Sequence, residues 1–152
     1  MNTTETQNAA NTQPDERGSG KTRPNFIFIL ADDLGYADLG CYGGREDTSP
    51  NLDKMAEEGM TFSRGYANSS VCSPSRFAII TGRYQHRLRG GFDEPIASAR
   101  EELGLPPEHA TMPSLLRDAG YATALIGKWH LGYLPWFGPL KSGYQEFFGH
   151  RG

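Results

Sequence analysis

Three short groups of residues have the types and spacing for chemistry. The first is Cys72, Pro74 and Arg76, which open an apolar run ending at Gly82. The second is the adjacent pair Asp32 and Asp33, directly after residues 25–31, Asn-Phe-Ile-Phe-Ile-Leu-Ala. The third is Lys128 and His130, flanking Trp129 and following the strand-like residues 121–126.

A cysteine at a helix start, with an arginine four residues on, sits beside exposed N–H groups and a cation on its own face. Such a place handles an anion or supports a thiolate nucleophile. The plainer reading is a small buried hydrophobe near a helix terminus. Two carboxylates converging at the C-terminal end of a strand suit a hard divalent cation, Ca²⁺ or Mg²⁺; otherwise they are a solvated turn or a cap. Neighbours on a strand point to opposite faces, so they converge only if the chain bends, which Gly35 permits. If strand geometry continues past residue 126, Lys128 and His130 share one face and Trp129 takes the other. That brings a cation and a titratable base to one strand end. The plainer reading is a basic strand end with Trp129 packed as core.

The elements that must position these groups follow from local signals. Pro74 suits the first turn of a helix, Phe77 to Ile80 extend it, and Gly82 stops it. Residues 25–31 form a continuous apolar run that predicts a central strand buried on both faces. Residues 51–59 predict a short helix, and residues 61–67 a second strand. Residues 112–120 predict another helix, with Leu115, Leu116 and Ala119 facing inward; residues 121–126 predict a third strand. Between residues 83 and 111 lies a long polar passage with Gly90-Gly91 and Pro106-Pro107. Passages of that length are uncommon in compact domains unless functional or covered. Its His86 and His109 are assigned no role. Helices alternating with apolar strands place the chain in the α/β class, with a mostly parallel sheet flanked by helices.

The totals narrow the function. The 152 residues suffice for one domain with a core, and 19 glycines with 10 prolines imply many turns. A net charge of −3 without a basic cluster gives no nucleic-acid footprint. No apolar run approaches the roughly 20 residues of a membrane span. The two cysteines, Cys41 and Cys72, do not make a disulfide framework. Residues 1–23 are polar and lack an apolar core segment, which predicts a disordered leader and, without an export signal, a cytoplasmic protein.

Cys72-Ser73-Pro74-Ser75-Arg76 with Thr81-Gly82-Arg83 resembles the Cys-x-Pro-x-Arg motif of the sulfatases, in the alkaline phosphatase superfamily. The strand followed by Asp32-Asp33-Leu34-Gly35-Tyr36 and the stretch Gly127-Lys128-Trp129-His130-Leu131-Gly132 are similar to two further sulfatase motifs, in the same order. The resemblance covers residues 24–152 and only the N-terminal portion of a sulfatase catalytic domain. It implies a sulfuric ester hydrolase in which Cys72 is converted to formylglycine by a formylglycine-generating enzyme. One hydroxyl of the aldehyde hydrate would attack sulfur, and the second would allow sulfate to leave, which an ordinary Ser or Cys could not do. By the same resemblance Asp32, Asp33 and position 72 would hold Ca²⁺ or Mg²⁺. Arg76 would offset the charge of the hydrate, Lys128 would contact it and the sulfate, and His130 would help remove its proton. Substrates would be small sulfate esters or sulfated carbohydrates. The family completes its metal site with a later Asp-Asn or Asp-His pair, whereas residues 131–152 contain no Asp. The expectation is therefore a truncated, poorly active segment. A phosphonate or phosphodiester hydrolase of the same superfamily, a non-catalytic anion-binding remnant and a cysteine-thiolate enzyme are the alternatives.

Overall fold

The computed structural model describes residues 3–6, 23–45, 47–91, 96 and 99–150. The described residues fall into two compact units, residues 23–66 and residues 67–150 together with Thr3–Thr6.

In the larger unit, α2 (Cys72–Thr81) forms where the local signals require it. Gly82 ends it in the left-handed conformation, φ 65°, and its N–H donates to the Ala78 carbonyl, a conformation glycine adopts without penalty. Helix α3 (Met112–Asp118) starts from a buried cap: Thr111 Oγ1 accepts from the Ser114 N–H and donates to the Ser142 carbonyl at 2.6 Å. That cap and Pro113 are what α3 buries. Leu115, expected to face inward, is 63% exposed, because the helix docks by its polar N-terminal edge rather than by its leucines.

Strands β2 (Ala124–Lys128) and β3 (Glu146–His150) pair in parallel, and β1 (Thr3–Thr6) adds to β3 antiparallel. Strand β1 falls inside the leader that was expected to be disordered; residues 7–22 lie outside the described residues. Strand β2 begins three residues later than the sequence reading placed it. Thr123 sits ahead of the ladder, its carbonyl accepting from the Gln145 and Glu146 N–H groups and its hydroxyl donating to the Gly143 carbonyl. At the other end Gly127 and Gly149 face each other so closely that a Cβ on Gly149 would overlap the Gly127 carbonyl.

The core is Phe77, Ile80, Ile96, Leu103, Leu105, Trp129 and Leu131, all below about 6% exposure. Three of these, Ile96, Leu103 and Leu105, come from the polar passage 83–111, which is anchored by the few apolar residues it has. Trp129 is buried as expected, edge-on to Tyr144 with ring centroids 6.4 Å apart.

The smaller unit contains α1 (Pro50–Glu58) and short 3₁₀ turns at Tyr36–Asp38 and Gly40–Tyr42. Residues 25–31 and 61–67 are not strands here. A run of β-formers becomes a central strand only when its N–H and C=O groups find a ladder on both edges, and the sheet of the described residues contains β1, β3 and β2 alone. Phe26, Ile27, Phe28, Ile29 and Leu30 are 41–86% exposed. No helix among the described residues is long and apolar enough to cross a membrane.

Candidate functional site

In the larger unit, the loop entering α2 is tied to the helix it precedes. Ser69 Oγ accepts the Val71 N–H, and the Ser75 hydroxyl donates to the Ser69 carbonyl at 2.8 Å. Cys72 is thereby the first residue of α2, half-buried and a free thiol. Pro74 occupies the third helical position, where an N–H would have had no intrahelical acceptor.

Arg76, one turn after Cys72, turns towards β2: its Nη1 donates to the Lys128 carbonyl at 2.8 Å. Lys128 ends β2, opposite His150 in the ladder. The strand does not continue to His130. That residue adopts a left-handed backbone, φ 55°, and its ring is buried, 9% exposed. Its placement therefore comes from its own left-handed backbone after the strand has ended, not from strand alternation. His130 Nε2 donates to the Ile96 carbonyl at 2.9 Å, and the Ile96 N–H donates to Ser73 Oγ at 3.1 Å. Two links thus join the start of α2 to the end of β2: Arg76 to the Lys128 carbonyl, and Ser73 through Ile96 to His130. Cys72, Arg76, Lys128 and His130 belong to one locality.

The sequence reading had passed over Ser73 and Ile96. Ser73 is the unconstrained position of its motif, and Ile96 is one apolar residue in a polar passage. The only available signal was that isolation.

In the smaller unit, the chain bends at Asp32 and Asp33. Asp33 itself makes the bend, with φ 58°, while Gly35 stays at φ −78°. Aspartate is among the few residues that tolerate this region. Gly35 serves instead as the donor to Asp38 Oδ2 at 2.6 Å. The donor type of Asp32 and Asp33 fits a hard cation, but two carboxylates fall short of the about six to eight oxygens that Ca²⁺ takes. Among the described residues, no group of three or more His, Cys, Asp or Glu side chains is placed to hold a metal.

Cys41 lies in this unit beside Asp53, whose Oδ1 accepts the Cys41 N–H at 2.7 Å and the Ser49 hydroxyl at 2.9 Å. Partial burial and the adjacent Asp53 carboxylate push the Cys41 thiol up, which disfavours its thiolate. An open concavity of about 540 Å³ here is lined by Cys41, Asp47, Asp53 and Glu57. Its acidic wall repels anions, and none of the motif residues lies in it.

The family profile described as Sulfatase matches residues 24–152. The chain is 45% identical over 133 residues to N-acetylgalactosamine-6-sulfatase of Canis lupus familiaris, covering 83% of this chain and 25% of that protein. It is 41% identical over 135 residues to N-acetylgalactosamine-6-O-sulfatase of Bacteroides thetaiotaomicron, covering 89% and 25%. The solved structure of Ps i-CgsB in complex with k-i-k-neocarrahexaose superposes with a TM-score of 0.72 at 38% identity, covering 79% of this chain and 26% of that one. The chain thus spans about a quarter of the length of these relatives.

Proposed function

The chain belongs to the sulfatase family, and we propose that residues 24–152 are the nucleophile-bearing portion of the catalytic domain of a sulfuric ester hydrolase. The observation that carries this reading is the Arg76–Lys128 bond, which fastens the helix bearing Cys72 to the strand end at Lys128, two residues before His130. That bond, between residues 52 positions apart, supports reading two of the three chemical groups as one site.

Conversion of Cys72 to formylglycine would supply a hydrated aldehyde, with one hydroxyl for attack on sulfur and a second whose proton is lost when sulfate leaves. Arg76, fixed through its Nη1, offsets negative charge at position 72. The Lys128 ammonium, half-buried at the end of β2, stabilises charge gathering on the sulfuryl oxygens. His130 takes the hydroxyl proton. Asp32 and Asp33 would hold one side of a divalent cation, which would supply Lewis acidity towards a sulfate oxygen when bound. The remaining donors would come from chain of the kind the relatives have beyond the matched quarter, as would the cover for residues 26–30. The names of the dog and Bacteroides relatives and the neocarrahexaose complex support a sulfated carbohydrate as the substrate class.

The test is mass spectrometry of the Cys72 peptide from protein made together with a formylglycine-generating enzyme, with sulfate release measured on the same sample. An aldehyde at position 72 is expected, and Lys128→Ala should then lower turnover by about 10²–10³-fold with the aldehyde retained. An unmodified thiol under those conditions, alkylated with loss of turnover, would instead favour a thiolate enzyme. Faster cleavage of a phosphodiester than of a sulfate ester would reassign the substrate within the superfamily.

A further inference from the structure

We propose that Ser73 is a positioning residue: through the backbone N–H and carbonyl of Ile96 it fixes the tautomer and orientation of His130. The inference rests on the proposed role of His130 as proton acceptor, and deepens it by assigning the accepting atom.

The chain of contacts is short and dry. Ser73, Ile96 and His130 are 1%, 0% and 9% exposed. The Ile96 N–H donates to Ser73 Oγ at 3.1 Å, and the Ile96 carbonyl receives His130 Nε2 at 2.9 Å. A carbonyl oxygen can only accept, so Nε2 carries a proton, and in the neutral ring the lone pair lies on Nδ1. The opposite tautomer would set a ring lone pair against a carbonyl lone pair in a buried place, an uncompensated repulsion. Nδ1 is thus the atom that takes a proton from a hydroxyl at position 72, giving the imidazolium, which the Ile96 carbonyl then stabilises by accepting from Nε2–H.

The backbone makes this clasp necessary. His130 has φ 55°, a region histidine seldom occupies and holds only when its surroundings dictate it. Ser73 neighbours the nucleophile position, and Ile96 belongs to neither motif. The Ile96 backbone between them makes the geometry of the base depend on the helix that carries the nucleophile, so that a shift of one is transmitted to the other.

Two measurements on the protein as its host makes it test the assignment. In ¹⁵N-histidine spectra, His130 should be the Nε2–H tautomer, and Ser73→Ala should move it to a mixed population. At equal aldehyde content, Ser73→Ala should lower kcat by about 10- to 100-fold with KM within about twofold. Ser73→Thr, which keeps the hydroxyl, should recover most of that loss. A wild-type His130 in the Nδ1–H form, or an unchanged kcat in Ser73→Ala, overturns the proposal. If the wild type carries no aldehyde, the proposed function fails, and the tautomer spectra alone then decide for or against the clasp.

Discussion

The two units of this protein are held by different forces. Every buried apolar side chain among the described residues belongs to the unit that begins at Ala67, from Phe77 to Phe147. The unit of residues 23–66 has comparable apolar material, yet Leu52 and Met55 on α1 are 41% and 62% exposed. What orders it is a polar clasp: Asp53 Oδ1 takes the Cys41 N–H and the Ser49 hydroxyl, and Ser49 Oγ takes the Gly40 N–H at 2.8 Å. One unit therefore rests on burial, which is non-directional and large; the other rests on a few directional bonds. The difference matters to function, because the proposed nucleophile and base stand on the unit with the apolar core and the proposed metal carboxylates on the other.

The sharpest way to break this comparison is a pair of phenylalanine truncations. Phe77→Ala, at 0% exposure, should cost about 3–5 kcal/mol. Phe28→Ala, at 61% exposure, should change stability by no more than about 0.5 kcal/mol. Denaturant midpoints read both, and equal costs would mean that residues 25–31 are buried in solution. Next in size, Asp53→Ala should cost about 1–2 kcal/mol by leaving the Cys41 N–H without its acceptor. Faster amide exchange at Gly40 and Cys41, with Trp129 unaffected, is the expected signature; a uniform loss across both units would contradict separate stabilisation.

The smallest effect concerns alkali. Burial raises the Tyr144 phenol above its ordinary value of about 10. The unfolded chain therefore releases that proton first, and the stability present below about pH 10 is lost as the pH rises. Tyr144→Phe should flatten the fall of the melting temperature between about pH 9 and 11. An unchanged slope would show that Tyr144 is accessible to solvent.

Helices were legible because their signals are local: the proline near the start of each and the glycines at 59 and 82 bracket α1 and α2 to within a residue. Strands were less so. The apolar run at 25–31 states what a strand would need around it, and those neighbours are not specified by the run itself. The residues Cys72, Arg76, Lys128 and His130 were singled out by their resemblance to sulfatase motifs, but the route by which His130 reaches its place was not legible. It depends on a left-handed residue and on the backbone of Ile96, and backbone groups leave no trace in a pattern of side chains.

The knot at Thr123 has a consequence for chemical fidelity. Parallel strands have no hairpin turn to set their alignment, and a slide of one position inverts every side chain. Here a threonine ahead of the ladder grips Gly143, Gln145 and Glu146, so that Ala124 meets Glu146 and Lys128 meets His150. Misaligned by one step, the same strand would deliver Gly127 to the position of Lys128, with no amino acid changed. An error of pairing would then be equivalent to deleting a charge, and Thr123 guards against that mutation from the far end of the strand.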